Sequence, residues 1–224
     1  GLPIVMTVAS RAIGAPINIW NDHSDSMSQR DCGWIQLFAE DNQEAVDLHI
    51  QAFKIAEELS LPVMVCMDGF VLTHAFERMD IPSQEQVDQF LPPYDPRQSL
   101  DPEQPVSIGA MVGPKPLPKF VISPMPHLQA LGVIDRVAKE YEEIIGRKSG
   151  GLVDLYRAED AEVMVSLWVL SSDDKDVIDE MRERKKVGLL GIKSYRPFPA
   201  AEVFAALEGA KTAVVIDRSL QVGI

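Results

Sequence analysis

Residues 61–70 read Leu61-Pro62-Val63-Met64-Val65-Cys66-Met67-Asp68-Gly69-Phe70, and they decide the fold. Apolar side chains run through residues 61–67 without alternation, over a length that suits a strand covered on both faces. Upstream, Ala45, Leu48, Ala52, Ile55, Ala56 and Leu59 recur at three- and four-residue steps. That spacing predicts an amphipathic helix from Asn42, ending before Pro62. Residues 2–8 form another short apolar run with β-branched members, and Gly14-Ala15-Pro16 opens a polar loop over residues 18–33. Strand, loop, helix and strand in this order predict α/β layers around a parallel sheet.

Downstream, prolines recur from 81 to 126, in Leu91-Pro92-Pro93-Tyr94-Asp95-Pro96, Asp101-Pro102 and from Pro114 to Pro126. Each removes a backbone donor and disfavours helix in the residue before it, so extended, irregular chain is expected. Phe90, Leu91, Ile108, Met111 and Phe120 suit a segment wrapped on another subunit better than a solvated linker. Leu131, Ile134, Val137, Tyr141 and Ile144 restore helical periodicity over 128–145, closed by Gly146. A second unit starts near Ala158, with strands over 162–170, 187–192 and 212–217 separated by helices over 173–185 and 200–207. The expected division is 1–157 and 158–224, the second unit being incomplete.

Charge narrows the partners. With 21 basic and 34 acidic residues among 224, the net charge of −13 repels nucleic acid and anionic lipid. No run approaches the roughly 18 apolar residues of a membrane-spanning helix. Cys32 and Cys66 lack the spacing for zinc or an iron–sulfur cluster, which fits a reducing cytoplasm. The Gly1-Leu2-Pro3 start has no basic region of a signal peptide and reads as the start of an internal fragment.

Asn21-Asp22-His23-Ser24-Asp25, close to Arg30 and Asp31, gathers groups suited to acid–base work or metal binding, and equally to Asx turns that merely shape a loop. Arg11 follows the first strand and Asp68 the second, the positions from which α/β folds present side chains to ligands. A surface ion pair for Arg11 and a helix cap for Asp68 are the plainer alternatives. His74 falls nearby. No GxGxxG, GxxxxGK[ST] or GxSxG motif is present.

A more specific signal lies in ordered motifs. Arg11-Ala12, Ala15-Pro16-Ile17-Asn18-Ile19, Asp22-His23-Ser24-Asp25, Gln29-Arg30-Asp31, Gly33-Trp34-Ile35-Gln36 and Asn42-Gln43-Glu44-Ala45 resemble the pyrimidine-domain core of the 2-oxoacid:ferredoxin oxidoreductases. Residues 61–70, Thr73-His74 and Phe90-Leu91-Pro92-Pro93-Tyr94 continue the likeness in the same order. Val187-Gly188-Leu189-Leu190, Arg196-Pro197-Phe198-Pro199 and Val215-Ile216-Asp217-Arg218 resemble that family's second domain. The likeness points to the alpha subunit of the pyruvate synthase (pyruvate:ferredoxin oxidoreductase) branch.

The resemblance implies a parallel-sheet thiamine diphosphate-binding fold, an N-terminally truncated pyrimidine domain, followed by a partial α/β domain like the transketolase C-terminal one. It implies oxidative decarboxylation of pyruvate to acetyl-CoA, with coenzyme A as acyl acceptor and ferredoxin as electron acceptor. Arg11 matches the family arginine that contacts the substrate carboxylate, for which a planar guanidinium fork is suited. Asp22, His23, Ser24, Asp25, Arg30, Asp68 and His74 are then the cofactor-binding or site-loop candidates, with Asp22 and Asp25 fixing the loop and no residue here ligating metal. The glutamate that activates the cofactor belongs upstream of Gly1. Magnesium, the Gly-Asp-Gly diphosphate motif and the iron–sulfur clusters belong to partner subunits, diphosphate-binding and ferredoxin-like, so this chain alone is expected to be inert. Two stretches depart from the family: Trp168-Val169-Leu170-Ser171-Ser172-Asp173-Asp174, where carboxylates replace a glycine-containing turn, and Lys119-Phe120-Val121-Ile122-Ser123-Pro124. Another 2-oxoacid (2-oxoglutarate, a branched-chain oxoacid or oxalate) or a noncatalytic scaffold role are the alternatives.

Overall fold

The computed structural model describes residues 2–17, 19–96, 99–105, 124–168 and 172–219. Strand β3 (Val63–Asp68) buries Val63 through Cys66 completely or nearly so, as its unbroken apolar run requires. It lies between two parallel neighbours, β1 (Val5–Ser10) and β2 (Ile35–Phe38), with Ser10 opposite Asp68 and Ile35 opposite Val63. The first strand therefore starts later than expected, because Leu2 and Ile4 stay exposed ahead of the ladder. Strand β2 breaks its apolar pattern at Gln36, which hid it in the sequence. Gln36 is fully buried, and its amide donates to the Ser26 carbonyl at 2.7 Å. Within the polar loop, Ser24–Met27 form a short helix, α1.

Helix α2 (Asn42–Leu59) matches its periodicity. Asp41 caps it by accepting from the Glu44 N–H at 2.7 Å. Its apolar face packs on Ile35, Leu37, Val63 and Val65 in one direction and on Ala130, Ile134, Val137 and Tyr141 in the other. After β3 come α3 (Val71–His74) and α4 (Gln84–Phe90). Helix α4 overturns the expectation of irregular chain at the start of residues 81–126. Ser83 and Gln86 cap each other reciprocally ahead of Pro92, and Phe90 is buried edge-on to Tyr141 with ring centroids 5.2 Å apart. Ile108, Met111, Phe120 and the stretch 119–123 lie outside the described residues. Helix α5 (Pro124–Ile145) places Ala130, Ile134, Val137 and Tyr141 on α2, each large one contributing about 1.5–3 kcal/mol by burial. Gly146, at φ +80°, closes it as expected.

The second sheet has four strands, in the spatial order Val153–Tyr156, Val187–Ile192, Val163–Leu167 and Thr212–Ile216. Strands β5 (Val163–Leu167), β6 (Val187–Ile192) and β8 (Thr212–Ile216) run parallel, joined by α6 (Ser172–Arg182) and α7 (Ala200–Leu207). Strand β4 (Val153–Tyr156) pairs antiparallel with β6, so this sheet begins at Val153, ahead of the division expected at 157/158. The reason is that β6 is buried along its whole length and needs a partner on each side. Strand β7 (Ser194–Arg196) crosses over and pairs antiparallel with β2 of the first sheet. Phe38 and Met64 from the first sheet meet Trp168 and Tyr195 there. Trp168 stands edge-on to Tyr195 at 4.4 Å, and Lys193 inserts between Glu40 and Glu44. Among the described residues, no helix is long and apolar enough to cross a membrane.

Candidate functional site

Parallel pairing of β1 with β3 brings their carboxyl ends level, and the chain leaving each strand turns into a common crevice. Leaving β1, Arg11 is fixed through its backbone N–H, which donates to Asp25 Oδ2 at 2.9 Å. Leaving β3, Gly69 presses on the first strand, its N–H donating to the Ser10 carbonyl at 3.1 Å. A Cβ at Gly69 would lie 2.4 Å from the Ser10 carbonyl oxygen and 2.8 Å from Arg11 Cγ, so no side chain fits there. In return, the Gly69 carbonyl accepts from Arg11 Nε at 2.9 Å and Nη2 at 2.6 Å. One edge of the guanidinium is thereby occupied. Its end-on edge, Nη1 with the second hydrogen of Nη2, has no partner among the described residues.

The loop between β1 and β2 is shaped by short side chains. Asp22 Oδ1 accepts from the Ser24 N–H at 2.6 Å, Asp25 Oδ1 from the Ser26 N–H at 2.6 Å, and Ser24 Oγ from the Ile13 N–H at 3.0 Å. These bonds serve the backbone. His23 is buried, edge-on to Phe38 at 5.4 Å, against a void of about 30 Å³ that Leu167, Trp168, Ile216 and Arg218 also line. Burial, then the charge of Arg218, push its pKa down, against the pull of Asp68, Asp25 and Asp22.

Asp68 is the hub. Its Oδ1 accepts from the N–H groups of Phe70 at 2.7 Å and Val71 at 2.5 Å, holding the turn into α3. Its Oδ2 accepts from Asn21 Nδ2 at 2.9 Å and from Arg218 Nη1 at 2.9 Å. Burial by itself would raise its pKa, but the Phe70 N–H, the Asn21 amide, the Val71 N–H and the Arg218 charge outweigh it and hold the carboxyl below the usual range. Beside this hub, Ile19, Trp20, Asn21, Phe70 and Val71 line a cavity of about 400 Å³ that is largely apolar. Trp20 is 75% exposed and Phe70 44%, aromatic surface at the mouth of the crevice.

Of the candidates read from the sequence, Arg11, Asp22, His23, Ser24, Asp25 and Asp68 come together here. Arg30 stands apart: it donates to the Met27 carbonyl at 3.1 Å, and its own carbonyl accepts from Arg196 at 3.2 Å, on the side of β7. His74 is exposed at the end of α3, edge-on to Phe70 at 5.3 Å. Asn21, Gly69 and Arg218 were not singled out as site residues. The Gly69 that follows Asp68 at a strand end was a readable sign of close backbone approach, whereas Arg218 lies 150 residues away from Asp68. Burial, foremost, pushes the Cys66 thiol far up, which makes it inert. Among the described residues, no group of three or more His, Cys, Asp or Glu could hold a metal ion.

The family model for pyruvate flavodoxin/ferredoxin oxidoreductase, thiamine diphosphate-binding, matches residues 1–138. This chain belongs to the pyruvate flavodoxin/ferredoxin oxidoreductase family. The model for pyruvate:ferredoxin oxidoreductase core domain II matches residues 161–224, which hold strands β5, β6 and β8 of the second sheet of this oxidoreductase-family chain. Pyruvate synthase subunit PorA of Methanosarcina barkeri is 45% identical over 99% of the chain and 56% of its own length. That of Thermotoga maritima is 45% identical, over 99% and 58%. Ketoisovalerate oxidoreductase subunit VorA of Pyrococcus horikoshii is 38% identical, over 99% and 57%. The chain thus spans a little over half the length of these family members. Among solved structures, the 2-oxoglutarate:ferredoxin oxidoreductase of Magnetococcus marinus, with 2-oxoglutarate, coenzyme A and succinyl-CoA bound, superposes with a TM-score of 0.62 at 15% identity, covering 97% of this chain and 41% of that one. That likeness concerns the fold.

Proposed function

We propose that this chain supplies one side of a thiamine diphosphate-dependent site in a heteromeric 2-oxoacid:ferredoxin oxidoreductase that converts pyruvate and coenzyme A to acetyl-CoA and carbon dioxide, passing two electrons to ferredoxin. The observation that carries this reading is Arg11: fixed on one edge by the Gly69 carbonyl, it offers its end-on edge to a planar anion. A 2-oxoacid carboxylate has that shape and charge.

The crevice also fits the cofactor that the family implies. A largely apolar cavity of about 400 Å³, with the Asn21 amide at its rim and two aromatic rings, suits a flat heteroaromatic ring. When bound, thiamine diphosphate supplies a carbon nucleophile and an electron sink. The chain's own residues then hold the substrate. Arg11 orients the carboxylate and, as a fixed positive charge, stabilises it in a partly desolvated crevice. Asp68, kept ionised, holds the Phe70–Val71 turn. Trp20, Ile19 and Phe70 exclude water from the ring face.

In this reading the divalent cation that binds the diphosphate, the iron–sulfur clusters and the ferredoxin contact reside on partner subunits, in the cytoplasm. Pyruvate is favoured by the PorA relatives at 45% identity; the VorA relative at 38% keeps a branched-chain oxoacid as the second reading. The full-length chain, purified with its partner subunits, provides the test. Coenzyme A-dependent viologen reduction should be supported best by pyruvate across a panel with 2-oxoglutarate, 2-oxoisovalerate and oxalate. Reduction with none of them would leave a scaffold role.

A further inference from the structure

We propose that Arg218, from the second unit, is a positioning residue for Arg11. The inference rests on the reading of Arg11 as the carboxylate-binding group. Asp68 is 3% exposed, and three donors of the first unit, the N–H groups of Phe70 and Val71 and the Asn21 amide, already satisfy it. Arg218 adds a fourth at 2.9 Å from beyond the end of β8, while its own side chain stays 49% exposed. Such a half-exposed pair adds little to stability. What it adds is a fixed distance between the second sheet and the turn at residues 68–71.

That turn sets the direction of the Gly69 carbonyl. The carbonyl in turn takes two of the Arg11 hydrogens, and Gly69 is too tightly packed on Ser10 and Arg11 to shift without moving them. The chain of contacts runs from Arg218 through the Asp68 carboxylate and the Gly69 carbonyl to the Arg11 guanidinium. Asn21, on the cavity rim, is held by the same Asp68 oxygen as Arg218. Docking of the second unit therefore places Arg11 and one wall of the cavity together, and an arginine displaced by about 1 Å binds a carboxylate poorly.

The test is a double-mutant cycle in the full-length chain assembled with its partner subunits. Arg218→Gln should raise KM for the 2-oxoacid about five- to tenfold and leave kcat within about twofold, and Arg218→Lys should recover part of the loss. With Arg11→Lys already present, Arg218→Gln should add almost nothing, because its effect passes through Arg11. A purely structural role predicts additive losses, or a fall in kcat and assembly with KM unchanged, and either result overturns the proposal. Should Arg218→Gln fail to assemble, a KM equal to wild type in Arg218→Lys, with the reach to Asp68 altered, also overturns it. If Arg11→Lys itself leaves kcat/KM unchanged, the reading of Arg11 fails first and this inference goes with it.

Discussion

The Gly69 carbonyl receives two hydrogen bonds from Arg11, at 2.9 and 2.6 Å, across the seam between β1 and β3. Gly69 is close enough to Ser10 that a methyl group there would sit 2.4 Å from a backbone oxygen. Gly69→Ala should therefore move backbone on both strands. We expect a loss of about 2–3 kcal/mol in denaturant unfolding, with a several-fold higher KM for the 2-oxoacid. Wild-type values for both would contradict the close packing.

Asp68 predicts an acid dependence of stability. Its folded pKa is held below the ordinary value of 3.8, so its stabilisation is fully present above that value and is lost as pH falls through the depressed folded pKa. The urea midpoint of wild type should fall over this acid range, and that of Asp68→Asn should fall less. Equal slopes for the two proteins would contradict an ionised, hydrogen-bonded Asp68.

His23 predicts a second dependence at milder pH. Burial, then Arg218, lower its folded pKa from 6.5, so neutral His23 stabilises the fold above 6.5. Stability should decline as pH falls from 6.5 toward the depressed folded value, because the unfolded chain binds the proton first. In His23→Leu that decline should flatten. A wild-type midpoint constant between neutral pH and pH 5.5 would contradict this.

Lys193 joins the two sheets at the carboxyl end of β2. Its ammonium pairs with Glu44 and, at 3.3 Å, with Glu40, while Lys175 reaches Glu40 at 2.6 Å. Burial opposes its charge, but Glu44 and Glu40 more than compensate and hold its pKa up. Lys193→Met leaves Glu44 buried without its cation, and we expect a loss of about 3 kcal/mol by chemical denaturation. A loss below about 0.5 kcal/mol would mean that the network is solvated.

How far the sequence reveals this fold depends on the element. Helix α2 and strands β3 and β6 were legible because periodicity and burial agree in them, and β8 by its apolar run alone, since all five of its residues stay exposed. Strand β2 was not, since Gln36 interrupts its three apolar residues and is itself buried, accommodated by the Ser26 carbonyl. Helix α4 carries a readable Ser83–Gln86 cap that the surrounding prolines masked. Strand β7 is short and polar, and only the ladder with β2 reveals it. At the site, residues 22–25 and Asp68 stood out by type and Arg11 by its place after a strand. Arg218 could be tied to Asp68 only in three dimensions, since nothing local to either residue marks the other.

In the proposed function, everything turns on Arg11 reading the substrate carboxylate. The most direct measurement is kcat/KM for pyruvate in the assembled full-length complex carrying Arg11→Lys, which keeps the charge and loses the planar fork. A fall of about 100-fold or more is expected, with assembly and cofactor content intact. A kcat/KM equal to wild type would show that the carboxylate is bound elsewhere.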